Sequence, residues 1–136
     1  VREHVEAYEG SGGTKATTLR DTGMPCIIVT HKGGKTGAVR KIPLMRVKVD
    51  QSYVLIGSMG GQPKNPVWVY NLRAHPDVEI RDATEVTSMV VREVFDADER
   101  AALWLASADA FPPYNDYQAK TDRVIPMFVA EPATGA

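Results

Sequence analysis

Strand signals outnumber helix signals along this chain, and they sit too close together for a crossover helix between each pair. Six segments read as strands: residues 26–31, 39–49, 53–58, 78–81, 85–94 and 124–130. Each is a β-branched or alternating run bounded by Gly, Pro, Asn or Asp. Helix signals of some length stand only at residues 65–75 and 96–108, with a shorter one after Tyr114 and another at residues 1–10. The core order is therefore β-β-β-α-β-β-α-(α)-β. Parallel strands need a long crossover connection, which the first three strands lack. The pattern implies a mainly β chain with helices inserted (α+β), closed as a barrel or half-open barrel rather than a doubly wound sheet.

Several local signals refine this. Residues 45–49 alternate, with Met45, Val47 and Val49 on one side and Arg46 and Lys48 on the other. Pro43 cannot donate to a ladder, so an edge or a bulge is expected there. Asn65-Pro66 reads as an N-cap followed by a first helical residue. Asp96 with Glu99 forms a capping-box variant. In residues 1–10, Val1, Val5 and Tyr8 are spaced to share a helix face, and Ser11-Gly12-Gly13-Thr14 ends it. Residues 1–24 are expected to be an N-terminal helix or flexible segment and residues 25–136 the folded domain.

Composition narrows the function classes. At 136 residues one domain is the default. Sixteen Lys and Arg against 17 Asp and Glu leave a net charge of −1, so no cation excess supports general nucleic-acid binding. Cys26 is the single cysteine, which excludes an internal disulfide and a Cys-rich zinc site and fits a reducing, cytoplasmic setting. It opens the apolar run Cys26-Ile27-Ile28-Val29 and reads as an inert buried thiol. Runs of about that length fall far short of the ~20 residues of a membrane span, so membrane association would be peripheral at most. His4, His31 and His75 lack metal-ligand spacing, and Ser58 lacks a nucleophile-elbow setting, so neither a metal site nor a serine hydrolase is expected.

Three stretches carry the chemistry that remains. Lys32-Gly33-Gly34-Lys35-Thr36-Gly37 combines close-approach glycines with lysines, as a phosphate cradle does; a solvated hairpin turn is the alternative. It is not a P-loop, because position 29 is Val and a strand rather than a helix follows. Arg40 and Lys41 then start the next strand pointing to opposite faces. A second glycine loop, residues 58–64, leads into a helix on which Trp68, Asn71 and Leu72 share a face. An Asn on a packed face implies a specific hydrogen bond, structural or ligand-directed. In Phe111-Pro112-Pro113-Tyr114-Asn115-Asp116-Tyr117-Gln118, Tyr114 and Tyr117 stand at i,i+3 and share one face of a helical turn. They could wall an apolar pocket or pack locally. With no evident nucleophile, the set suits a protein whose bound cofactor performs the chemistry.

Taken together, the stretches Lys32–Gly37, Arg40-Lys41-Ile42-Pro43-Leu44, Gly57-Ser58, Lys64-Asn65-Pro66-Val67-Trp68, Asn71-Leu72, Ala74-His75-Pro76, Tyr114–Gln118, Thr121-Asp122-Arg123 and Ile125-Pro126 resemble the deazaflavin-dependent nitroreductase family, which uses coenzyme F-420. The resemblance implies a split β-barrel of the FMN-binding type. It implies hydride transfer from reduced F-420 to an activated acceptor: an enone or unsaturated lactone of coumarin or aflatoxin type, a quinone or a nitroheteroaromatic. Carried over, Lys35, Thr36, Gly37 and Arg40 would hold the cofactor phosphate, helped by Asn71. Pro43, Ile56, Gly57, Ser58, Met59, Lys64, Asn65, Val67 and Trp68 would border the ring and its tail. Met45, Phe111, Tyr114 and Tyr117 would line the acceptor pocket, and Tyr117, Tyr114 or Ser58 would supply the proton. Some members have Tyr at the positions of Met45 and Phe111 and Lys at Met59. These departures favour a flat apolar acceptor and leave the acidic tail to Lys64, Lys35 and Arg40. An FMN-dependent oxidoreductase on the same barrel and a non-catalytic deazaflavin carrier are the alternatives. The partners implied are a small-molecule substrate and, if any, a second copy of the chain, as monomer or homodimer; no nucleic acid is implied.

Overall fold

In the computed structural model, which describes residues 2–15, 17–18, 24–58, 65–122 and 124–133, the strand expected over residues 39–49 is two strands. The elements run α1 (Arg2–Gly10), β1 (Cys26–Lys32), β2 (Val39–Met45), β3 (Lys48–Val49), β4 (Ser52–Ile56), α2 (Val67–Ala74), β5 (Asp77–Asp82), β6 (Glu85–Glu93), α3 (Ala97–Ala110), α4 (Pro113–Ala119) and β7 (Met127–Pro132). The seven strands form one antiparallel sheet in the order β2-β1-β5-β6-β7-β4-β3.

The two edge strands of that sheet are consecutive in the chain, separated only by Arg46 and Val47. Three Cα steps reach at most about 11 Å. The edges must therefore approach each other, and the sheet must curl into a split half-barrel. At the bend the chain changes partners: the Arg46 N–H donates to Pro25 O (3.0 Å) and Val47 O accepts from the Val54 N–H (2.9 Å). The Arg46 guanidinium is anchored on Asp82 (Nε to Oδ2, 2.9 Å), which also accepts from the Tyr53 hydroxyl at 2.6 Å. The break falls here and not at Pro43, which pairs opposite Ile28 on an edge strand, where a missing N–H leaves no partner unsatisfied.

Alternate residues build two cores. Ile27, Val29, Leu55, Ile80 and Phe128 fill the concave side, closed by Trp68, Val69 and Leu72 of α2. Val54, Ile56, Met127 and Val129 face the other way and are covered by Phe111 and Tyr114. Val5 and Tyr8 of α1 cover Cys26 and Ile28 on the back of β1. The Tyr8 hydroxyl donates to Cys26 O (3.1 Å) and accepts from the Ala83 N–H (2.7 Å), and Glu9 pairs with Lys41. Burial pushes the Cys26 thiol up to about 11, so it is a protonated packing group, with its sulfur 3.6 Å from His4 Nε2.

Two expected boundaries move. Helix α2 starts at Val67, with Pro66 rather than Asn65 in the N-cap position. Pro66 is extended (φ −58°, ψ 148°), and its carbonyl accepts from the Val69 N–H as an N-cap carbonyl does. The last strand begins at Met127, not at 124, because the backbone before it is bonded elsewhere. The Ile125 carbonyl accepts from Arg100, the Ile125 N–H donates to Gln118 Oε1, and Pro126 has no N–H. By contrast α3 starts as expected, with Asp96 accepting from the Glu99 N–H at 2.9 Å.

Candidate cofactor and acceptor site

The glycine turn after β1 commits four of its backbone donors, three within the turn and one to α2. The Gly33 N–H donates to Ala38 O (2.7 Å), Gly37 to Gly33 O (2.8 Å) and Ala38 to Thr36 Oγ1 (3.2 Å). Gly37 takes φ 71°, the left-handed region open to glycine. The Gly34 N–H donates to Asn71 Oδ1 at 2.9 Å. Among the described residues the N–H groups of Lys35 and Thr36 remain without acceptors, and both residues are exposed. A Cβ built on Gly33 would lie 3.5 Å from Thr36 Oγ1 and 3.7 Å from Arg40 Nε. The hydroxyl and the guanidinium therefore stand beside the same glycine. Two free N–H groups, a hydroxyl and the Lys35 and Arg40 side chains at one turn are a donor set with the chemistry of an anion cradle.

Asn71 thus has a structural bond: from α2 it fixes the turn, with its side-chain amine left as a donor among the described residues. Lys41 faces the other side of β2, where it is solvent-exposed and pairs with Glu9. His31, beside the turn, is buried with Nδ1 3.3 Å from Val29 O; burial, reinforced by Arg40, pushes its pKa down.

At the far end of β2 the structure brings four expected acceptor-side residues into one cluster. Met45, Phe111 and Tyr114 are buried together with Ile56, and Tyr117 packs against them. Phe111 and Tyr114 meet edge-to-face at 5.0 Å, with Tyr117 6.0 Å from Phe111 and 6.3 Å from Tyr114. Tyr114 is only 5% exposed, and among the described residues its hydroxyl has no hydrogen-bond partner. Burial raises its pKa, so it is a protonated hydroxyl available as a donor. Arg40 and Met45 are five residues apart along one strand, about 17 Å at the usual rise. Cradle and aromatic wall therefore lie at opposite ends of β2.

The other expected residues lie on β2, on β4 and the segment after it, and at the start of α2. Pro43 is half-buried in β2, and Ile56 and Ser58 are buried at the end of β4. Gly57 sits against α2 so closely that a Cβ would be 2.8 Å from Val69 Cγ2. Asn65 is half-buried and Val67 is 73% exposed. Trp68 packs in the concave core, edge-on to Phe128 at 6.0 Å. Met59 and Lys64 lie outside the described residues. Sequence reasoning missed Trp104, whose ring lies 6.3 Å from that of Tyr114. Its i,i+4 relation to Arg100 was the available signal.

The turn and the aromatic cluster stand at opposite ends of one edge strand of a split β-barrel. Similarity to known proteins assigns the chemistry. A solved structure described as an F-420-H2-dependent reductase, FDR-A, is 41% identical with a TM-score of 0.74, covering 79% of this chain and 94% of its own. Another, described as a domain-swapped dimer, is 38% identical with a TM-score of 0.77 over 96% of both chains. A Mycobacterium tuberculosis protein named F-420H(2)-dependent quinone reductase is 32% identical over 132 residues, covering 95% of this chain and 87% of its own length. The F-420H(2)-dependent quinone reductase family profile matches residues 1–132. The chain belongs to that family and is an F-420-dependent reductase.

Proposed function

We propose that the chain reduces flat apolar acceptors, quinones foremost and conjugated enones or unsaturated lactones of coumarin or aflatoxin type next, with nitroheteroaromatics the poorest. The observation that carries this is the buried Tyr114 ring, whose hydroxyl has no hydrogen-bond partner among the described residues and is not sealed from solvent, set in an otherwise apolar wall of Met45, Phe111 and Tyr117. When bound, the reduced deazaflavin supplies a hydride. The residues of the chain do the rest. Lys35, Thr36 and Arg40 hold the phosphate, with Asn71 keeping the turn in shape. Met45 and Phe111 exclude water from the acceptor face, which strengthens every polar contact there. Tyr114 and Tyr117 donate to the acceptor oxygen as negative charge builds on it, and a phenol or Ser58 supplies the proton. Met45 and Phe111 add no donors, which matches a carbonyl acceptor better than a nitro group.

The 38%-identical domain-swapped dimer supports a homodimer for this chain as well. The test is reoxidation of reduced F-420 against a quinone, an enone, a coumarin lactone and a nitroimidazole, each compared with an enzyme-free blank. The expected order is quinone, then enone or lactone, then nitroimidazole. Turnover fastest with the nitroimidazole, or equal rates for wild type and Tyr114→Phe/Tyr117→Phe with every acceptor, would overturn the reading.

A further inference from the structure

The two phenols that face the acceptor stand on a helix too short to hold itself. Helix α4 is 7 residues long, and isolated helices shorter than about 12–15 residues are marginal in water. Its direction is therefore set by what it is tied to. Tyr114 and Tyr117 occupy one i,i+3 pair of α4, and Asn115 and Gln118 the next. The two amides are both engaged. Asn115 Oδ1 accepts from the Trp104 indole N–H of α3 at 2.8 Å. Gln118 Oε1 accepts from the Ile125 N–H at 3.1 Å. The ring of ties closes through Arg100, whose guanidinium lies 5.8 Å over the Trp104 ring and donates to Ile125 O at 2.5 Å. Ile125 is fully buried, so both polar groups of its residue are satisfied by side chains of the two helices that frame the pocket. Trp104 also leans its ring on Tyr114.

We propose that Trp104 and Gln118 are positioning residues of the acceptor pocket: they lock α4 between α3 and the lead-in to β7 and so aim the Tyr114 and Tyr117 hydroxyls. This rests on the reading of the aromatic wall as the acceptor site. Neither residue needs to touch the acceptor, and both are remote along the chain from the glycine turn. Cutting either tie should degrade acceptor use and leave coenzyme binding alone.

The experiment compares Trp104→Phe, which keeps a ring but removes the N–H, Asn115→Ala, which cuts the same bond from the exposed side, and Gln118→Met. Gln118→Glu, which keeps an acceptor oxygen, is the rescue variant. Loss of one hydrogen bond predicts an acceptor KM raised about three- to tenfold, with coenzyme Kd within about twofold of wild type. Gln118→Glu should restore most of the loss. Trp104→Phe should lose its effect when combined with Tyr114→Phe, because both act on one phenol. Acceptor KM unchanged in folded Asn115→Ala and Gln118→Met, or coenzyme Kd rising in parallel with KM, overturns the proposal. Tyr114→Phe/Tyr117→Phe separates the two levels of failure. If that variant alters acceptor kinetics while the ties do not, the positioning role falls and the pocket stands; if it alters nothing, the pocket reading falls and the positioning role with it. If Trp104→Phe melts below the assay temperature, Asn115→Ala, whose side chain is exposed, reports on the same bond alone, and Gln118→Ala takes the place of a Gln118→Met that melts.

Discussion

Asn71 offers the sharpest test of the anion cradle, because two substitutions at that position separate its shape from its charge. Asn71→Ala removes the oxygen that accepts from the Gly34 N–H at 2.9 Å. The bond is partly buried, so its loss should cost about 1 kcal/mol of stability and loosen the turn. Coenzyme Kd should rise about fivefold, with kcat at saturating coenzyme unchanged. Asn71→Asp keeps an acceptor oxygen for Gly34 but places a carboxylate beside the turn. If the turn holds a phosphate, two unit charges about 7 Å apart at an effective dielectric of about 20 repel by about 2 kcal/mol. That is about thirtyfold in affinity, shrinking as salt is added. The two variants therefore order oppositely in the two assays: Asp melts closer to wild type than Ala does, yet binds the coenzyme more weakly. The assays are a thermal melt and a fluorescence titration of F-420 at two ionic strengths. Asn71→Asp binding the coenzyme as well as wild type would refute the cradle, whatever its stability.

Three further outcomes follow from the geometry. Gly13→Ala asks for a Cβ 1.7 Å from Ala83 O at φ +87°, so the segment after α1 must leave the β5–β6 turn; stability should fall by more than about 1 kcal/mol, and the Ala83 amide, now held by the Tyr8 hydroxyl, should exchange faster with deuterium. Gly57→Ala drives a methyl to 2.8 Å from the buried Val69; overpacking of this kind costs about 1–3 kcal/mol, several degrees in Tm, and an unchanged melt would show that α2 can yield. Burial lowers the His31 pKa in the folded chain, so the unfolded state binds the extra proton first. The stability held above the unfolded value of about 6.5 is lost as pH falls toward the folded value; melts between pH 7.5 and 5 should show this decline, and His31→Gln should flatten it.

Much of this molecule is legible in its sequence because the relevant physics is local. Period-two alternation places Met45, Val47 and Val49 on one side, and the structure buries or half-buries all three. Asp96 and Glu99 announce the start of α3, since a cap is a bond over three residues. The glycine turn and the Tyr114–Tyr117 helical pair are visible as short-range spacing. Where local rules met non-local bonds, the reading slipped. Residues 124–126 look like strand, but Ile125 is bonded by Arg100 and Gln118, which no periodicity reveals.

The sequence by itself determined a mainly β fold with a glycine-lysine turn, a capped α3 and an aromatic i,i+3 pair, because each is written within a few residues. Only the tertiary structure decided that the edges of the sheet meet at Arg46–Val47, that Asn71 reaches across 37 positions to Gly34, and that Tyr114 is buried against Phe111 and Met45. These depend on which distant segments the curled sheet brings together, and burial and pairing across such distances exist only once the chain has closed.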